Sequence, residues 1–343
     1  MEASVEASTE AGSEAGTVEG NAVIADQYNN RVIEVDSHGN IVWTFGDGKA
    51  KPGPTSVVSP NDAERLANGQ TLISGTGDPS GGAQGDTACA ALDAGSGGCP
   101  DNRVLLVNAD GGIAWQYGTM GELSGPVAAV MLASGNVLIT DQGNNRIVEV
   151  TQDGGVAWQY GPADGGSLLT GPNSAVRLAN GDTLIADEGA NRVVEIASDG
   201  GVVWQYGPAA DGGSTLNAPA FASRLAASGN TLISDSANNR IVEVASDGGV
   251  VWSYYTTSRS TSATAATVDG GNASPTPTRG IRLANGNTLI SDQFNQQVIE
   301  VTGGASPTIA FTYGQLNVAG KGAGQLNAPY DAKRVGDYTW NGQ

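Results

Sequence analysis

Apolar residues in this chain come in short runs with a two-residue beat, and the runs come in fours. From Val176 to Pro208 the sequence reads VRLANGDTLIADEGANRVVEIASDGGVVWQYGP, with apolar stretches broken by Asn-Gly, Asp-Gly and a polar DEGAN segment. Alternation over four to six residues predicts half-buried strands, and the Gly-containing pairs predict two-residue hairpins, because they tolerate positive φ. The unit reads as four antiparallel strands: a at AVRLA, b at TLIAD, c at NRVVEI and d at VVWQYG.

The unit recurs. RLANGQTLISG starts at Arg65, MLASGNVLITD at Met131, RLAASGNTLISD at Arg224 and RLANGNTLISD at Arg282, spaced 46 to 66 residues apart because the insertions between copies differ. Four short strands per copy at this period predict an all-β fold, a β-propeller of four-stranded blades. Residues 21–46 supply strands b, c and d without a strand a, and residues 326–340 supply a strand a without a blade. The two fragments complete each other. Six blades are therefore expected over residues 21–343, closed by the C-terminal strand beside the N-terminal blade, which removes open sheet edges.

The motifs ADQYNN and TDQGNN resemble those of six-bladed NHL-repeat propellers, while NDAERLANGQTLI and SDGGVVWQY are similar to arylsulfotransferase and pyrroloquinoline-quinone-repeat propellers. The resemblance covers residues 21–340. It implies the architecture and leaves the function open, since such scaffolds host lyases, sulfotransferases, lactonases and binding proteins.

Residues present in every blade are expected to hold the scaffold together. Trp43, Trp115, Trp158, Trp204 and Trp252, with Phe311, form one column on strand d, followed two residues later by Phe45, Tyr117, Tyr160, Tyr206, Tyr254 and Tyr313. Strand a carries Arg65, Arg177, Arg224, Arg282 and Arg334, and strand c carries Glu34, Glu149, Glu195, Glu243 and Glu300. If each glutamate meets the arginine of the next blade, the leftover pair is Leu106 with Met131. Both charges vanish at one interface, as expected for buried partners, because a lone buried charge is costly and an apolar pair is not. Asp26, Asp141, Asp187, Asp235 and Asp292 end strand b, and Arg31, Arg103, Arg146, Arg192 and Arg240 begin strand c, which predicts hydrogen bonding across that turn.

Composition adds limits. The formal charge is -19 with 51 glycines, so nucleic acid and anionic membrane surfaces are excluded as partners by like-charge repulsion. No run of 18 apolar residues exists to span a membrane. Residues 1–20, with Glu2, Glu6, Glu10 and Glu14 among Ala, Ser, Gly and Thr, read as a disordered acidic linker. This stretch resembles the spacer of bacterial surface lipoproteins, which implies a secreted or cell-surface protein with a lipid anchor upstream; separately, the chain is expected to be a monomer. Cys89 and Cys99 close a Gly-rich insertion, as a disulfide would in an oxidising compartment.

Function is expected where blades differ. The a–b and c–d turns are short and share one face; every long insertion falls on the other, loop-rich face, where the inner strands also open. Asn61, Asp62, Asn173, Arg279, Tyr330 and Asp331 would ring the channel mouth there and suit a small-molecule or protein ligand. The chain's one histidine, His38, lies in a c–d turn, so the histidine chemistry of the related lyases and sulfotransferases has no group at the mouth. A non-catalytic binding module is the first reading. The alternative is a calcium-dependent lactonase or gluconolactonase type, as the resemblance implies, with Ca2+ held in the channel by oxygens of Asn61, Asp62, Asn173 and Asp331.

Overall fold

The computed structural model describes residues 20–78, 99–119, 121–162, 169–207, 216–256 and 276–341. The acidic stretch before Gly20, Cys89 and most of the long insertions lie outside the described residues.

Among the described residues, twenty-four strands form six four-stranded antiparallel sheets. Blade one consists of β1 (Ala22–Asp26), β2 (Arg31–Val35), β3 (Ile41–Phe45) and the last strand, β24 (Pro329–Arg334). Blade two holds β4 (Pro60–Arg65), β5 (Thr71–Asp78), β6 (Cys99–Val107) and β7 (Ile113–Tyr117). Blade three holds β8 (Pro126–Met131), β9 (Val137–Asp141), β10 (Arg146–Val150) and β11 (Val156–Tyr160). Blade four holds β12 (Pro172–Arg177), β13 (Thr183–Asp187), β14 (Arg192–Ile196) and β15 (Val202–Tyr206). Blade five holds β16 (Pro219–Arg224), β17 (Thr231–Asp235), β18 (Arg240–Val244) and β19 (Val250–Tyr255). Blade six holds β20 (Pro277–Arg282), β21 (Thr288–Asp292), β22 (Gln297–Val301) and β23 (Ile309–Gly314). Closure follows the expected plan. β24 pairs antiparallel with β1, Ala22 opposite Arg334 and Ile24 opposite Ala332.

Two local expectations need correction. Strand a begins earlier than AVRLA: β12 runs from Pro172 to Arg177, and Leu178 already belongs to the turn. The hairpins, too, are longer than two residues. Leu178 N–H donates to Asp182 O and Gly181 N–H to Leu178 O, which leaves a three-residue loop with Gly181 at φ 92°. Three-residue hairpins place a left-handed residue at their last position, so glycine alone is required there and Asn180 is free to accept the Asp182 N–H.

The innermost strands converge on the axis, and a column of small residues permits it. Ala63, Ala129, Ala175, Ala222, Gly280 and Ala332 each pair with an isoleucine of strand b. At Gly280 a Cβ would sit 2.7 Å from Ile241 of the preceding blade.

Blade is joined to blade by a repeated three-part contact. Arg177 lies 2.9 Å from Glu149 and 4.4 Å above the Trp158 ring, both on the preceding blade. Arg65 with Glu34 and Trp43, and Arg282 with Glu243 and Trp252, repeat it at 2.6 and 3.1 Å to the carboxylate. Arg224 pairs with Glu195 over Trp204, and Arg334 with Glu300 over Phe311. Trp43, Trp115 and Trp252 in turn donate their indole N–H to a backbone carbonyl of the next blade. Where Met131 replaces the arginine, it packs with Leu106 and Trp115 in an apolar cluster. Glu149→Ala is expected to cost about 2 kcal/mol, because it leaves a largely buried guanidinium without its partner. The double variant Glu149→Leu/Arg177→Met, which copies the Leu106 and Met131 interface, should recover most of that loss in urea unfolding.

Candidate functional site

The route into the channel is built by the repeated D-x-x-N-N-R pattern. At the end of β13, Asp187 accepts the Thr170 N–H at 2.6 Å and pairs with Arg192 at 2.9 Å. Asp26, Asp141 and Asp235 do the same for Asn327, Ser124 and Asn217. In blade two Gly75 stands in the aspartate's column and Asp101, from β6, supplies the carboxylate. It accepts the Val58 N–H at 2.7 Å and pairs with Arg103, and a Cβ on Gly75 would lie 2.5 Å from it. The residue before strand c is left-handed in every blade: Asn30, Asn102, Asn145, Asn191 and Asn239 precede an arginine, Gln296 precedes Gln297, and all six have φ between 50° and 62°. Its side chain accepts the N–H of the residue preceding the next blade's inner-strand proline, as between Asn145 and Gly171 at 2.6 Å and between Gln296 and Ala328 at 2.6 Å. Thus the pattern clamps the start of the inner strand from two sides in blades one to five.

Each inner strand then carries a bulge one residue past its proline. Register shifts between Pro60 and Asp62, Pro126 and Ala128, Pro172 and Ser174, Pro219 and Phe221, and Pro277 and Arg279. β24 shifts at the same place, with Asp26 opposite Pro329 and Ala25 opposite Asp331. A bulge re-aims its extra residue. The re-aimed set is Asn61, Val127, Asn173, Ala220, Thr278 and Tyr330, a mouth ring with one member per blade.

Two hydrogen-bonded chains run over that ring. Gln293 donates to Gln27 at 2.9 Å and Gln27 to Asn61 at 2.7 Å, joining blades six, one and two. On the other side Gln142 donates to Glu188 at 3.1 Å, and Asn173 donates to both Glu188 and the Tyr330 hydroxyl at 2.7 Å. Blades one and four face each other across the axis, so the Tyr330 contact bridges the channel. Burial pushes the Glu188 carboxyl above its ordinary range against the hydrogen bonds from Asn173 and Gln142. Burial, with Glu188 beside it, pushes the Tyr330 phenol far above its own. Gln27, Gln142, Glu188 and Gln293 were not anticipated. They occupy one sequence column, the residue after the strand-b aspartate, and the variety of that column was the available signal.

Beneath the ring lies a closed ionic cluster. Arg279 spans three blades, donating to Asp331 at 2.8 Å and to Asp62 at 3.0 Å, with Phe221 stacked 4.3 Å below its guanidinium. Lys333 contacts Asp62 and Asp331 and donates to the Ala63 carbonyl at 3.2 Å. Strand N–H groups add to both carboxylates: Ala63 N–H donates at 3.1 Å to the Asp331 oxygen that Lys333 also contacts, and Ala129 N–H donates at 2.9 Å to the second oxygen of Asp62. Burial opposes ionisation of Asp331, but Arg279 and Lys333 outweigh it and hold the carboxyl down to about 2. Asp62 is raised by its burial and by Asp331 beside it, against the attraction of Lys333 and Arg279. The channel floor is closed by Trp340, 2% exposed and 4.7 Å from the Lys333 ammonium.

The predicted mouth residues therefore divide into two layers. Asn61, Asn173 and Tyr330 belong to the ring, whereas Asp62, Arg279 and Asp331 belong to the cluster below it. The calcium expectation meets a different arrangement. Asp62 and Asp331 already hold two protein cations, the Asn61 oxygen accepts from Gln27, and Asn173 lies across the channel on Tyr330. His38 is exposed in the c–d turn of blade one, on the opposite face.

Glu64, two residues after Asp62, was also missed. It is 3% exposed, one carboxyl oxygen has no hydrogen-bond partner, and burial pushes it up to about 8 against the pull of Lys333. Its unfolded value is about 4.3, so the folded state holds the extra proton. The stabilisation is complete below about pH 4.3 and is lost as pH rises through about 8. Glu64→Gln should flatten the fall in melting temperature between pH 5.5 and pH 9. An unchanged pH profile would mean that Glu64 ionises normally.

The fold and the layered channel define a six-bladed β-propeller with a closed, charge-balanced axis. Residues 100–218 match the family model described as outer membrane protein assembly factor BamB. No curated protein matches the chain. Among solved structures, a protein of unknown function from Bacteroides caccae has a TM-score of 0.55 at 14% identity, over 82% of this chain and 90% of that one. A streptogramin B lyase structure gives 0.53 at 14% identity, over 84% of this chain and 78% of that one. A protein from Lactobacillus plantarum gives 0.51 at 10% identity, over 92% and 99%. At these identities the likeness is one of fold.

Proposed function

We propose that the protein is an extracytoplasmic binding module that recognises a neutral, hydrogen-bonding ligand, or such a segment of a partner protein, at the channel mouth. The observation that carries this reading is the pair of amide chains, Gln293 to Gln27 to Asn61 and Gln142 to Glu188 to Asn173 to Tyr330. The amides and the phenol offer donors and acceptors without net charge, the Glu188 carboxyl among them is held toward its neutral form by burial, and the charged groups beneath are already paired with one another. Such a surface exchanges its own hydrogen bonds for those of hydroxyl or amide groups. The BamB-like match over residues 100–218 supports a binding or assembly role. Among the described residues no helix is long and apolar enough to cross a membrane.

A thermal-shift screen with neutral oligosaccharides and short uncharged peptides tests the reading. A ligand present at 100 times its Kd stabilises the folded state by about 2.7 kcal/mol, which is readily seen as a rise in Tm. Asn173→Ala should abolish the rise while leaving the unliganded Tm within a few degrees. A rise that survives in Asn173→Ala would place binding elsewhere. No rise with any member of the panel would count against a neutral ligand.

The extracytoplasmic assignment also includes the Cys89 and Cys99 pairing. Thiol titration of the unfolded, unreduced protein is expected to find no free thiol, and two after reduction; two before reduction would remove the disulfide.

A further inference from the structure

The face opposite the mouth is not featureless. A groove of about 1070 Å³ opens there across blades four, five and six, lined by Leu178, Trp204, Leu225, Ala226, Leu283 and Thr339. That volume lies at the top of the range for small-ligand pockets, so the groove has room for several side chains of one segment. On the same side of the molecule two valine pairs leave the c–d turns of blades four and five, Val202–Val203 at 57% and 58% exposed and Val250–Val251 at 49% and 56%. Surface of this kind on a monomer marks an interaction site when it is contiguous and rimmed by polar groups.

The charges around it are one-sided. The two arginines that line the groove are already spent, Arg224 on Glu195 and Arg282 on Glu243. Asp182, Asp199 and Asp247 stand in the neighbouring turns, where their carboxylates accept only local N–H groups, and none of them forms an ion pair among the described residues. The groove is thus apolar inside and anionic at its edge. A second copy of the chain would bring a net charge of -19 against the same sign.

We propose that this groove docks a basic amphipathic segment of a partner protein, with aliphatic side chains against Leu178, Leu225 and Leu283 and Lys or Arg flanks against Asp182, Asp199 and Asp247. The apolar contacts supply affinity, and the acidic edge selects the sign of the partner. This site is independent of the mouth on the other face, and Asn173→Ala leaves it intact.

Fluorescence anisotropy with labelled model peptides tests the proposal. The probes are an amphipathic Leu/Lys peptide, a Leu/Glu peptide of the same pattern, and a Ser/Lys peptide of the same charge. The Leu/Lys peptide should bind at least ten times more tightly than either control, and less tightly as salt screens the acidic edge. Ala226→Arg, an exposed turn substitution, should weaken it at least tenfold with Tm unchanged. Ala133→Arg, at an exposed position of the corresponding turn of blade three outside the groove, should not. Equal binding of the Ser/Lys peptide would reduce the site to bulk electrostatics and overturn the proposal. So would preferential binding of the Leu/Glu peptide, unchanged affinity in Ala226→Arg, or concentration-dependent self-association that Ala226→Arg removes.

Discussion

The contact on which the propeller depends is an arginine held between a carboxylate and an aromatic ring. In five interfaces the strand-a arginine reaches the strand-c glutamate and lies over the strand-d ring of the blade before it. One side chain thereby touches two strands of its neighbour and sets how far the two sheets are rotated. The ring covers one face of the guanidinium while the carboxylate accepts from its N–H edge, so the desolvation cost of a buried charge is offset on a face and an edge of one planar group. The sixth interface reaches the same packing with Leu106, Met131 and Trp115. Six such joints and the pairing of β24 with β1 close a ring in which every inner strand is held at both ends.

That rigidity is what allows the axis to carry charge. The four groups Asp62, Arg279, Asp331 and Lys333 come from blades six, one and two, and each ion has at least two partners. A cluster like this is stable only when its geometry is supplied from outside, because any partner withdrawn leaves a buried charge behind. The mouth ring above it carries no ion pair among the described residues and is joined by side-chain hydrogen bonds of Gln27, Asn61, Asn173, Glu188 and Tyr330. The molecule is thus layered: an ionic plug within, hydrogen-bonding groups at the rim, and a largely apolar groove on the far face.

Much of this was legible in the chain. The strand columns, the Arg to Glu pairing across blades and the missing pair at Leu106 and Met131 are visible because each copy of the repeat is a control for the others. The site was legible only in outline. Asn61, Asn173 and Tyr330 could be placed at the mouth, but alternation alone does not show that a bulge re-aims them. Asp62 and Asp331 looked like free oxygen donors, since nothing local to NDAER or YDAKR reveals that Arg279 and Lys333 will meet them.

The sequence by itself determined the blades, because the hairpins, the left-handed residue before strand c and the pairing of the strand-end Asp with the Arg five residues on are all local to one blade. Only the tertiary structure decided what the axis contains. Asp62 and Lys333 are 271 residues apart, and they meet because ring closure brings blade one beside blade two. The same closure brings Arg279 and Lys333 onto Asp62 and Asp331, two of the four candidate calcium ligands, because these groups come from blades that only the closed ring makes neighbours.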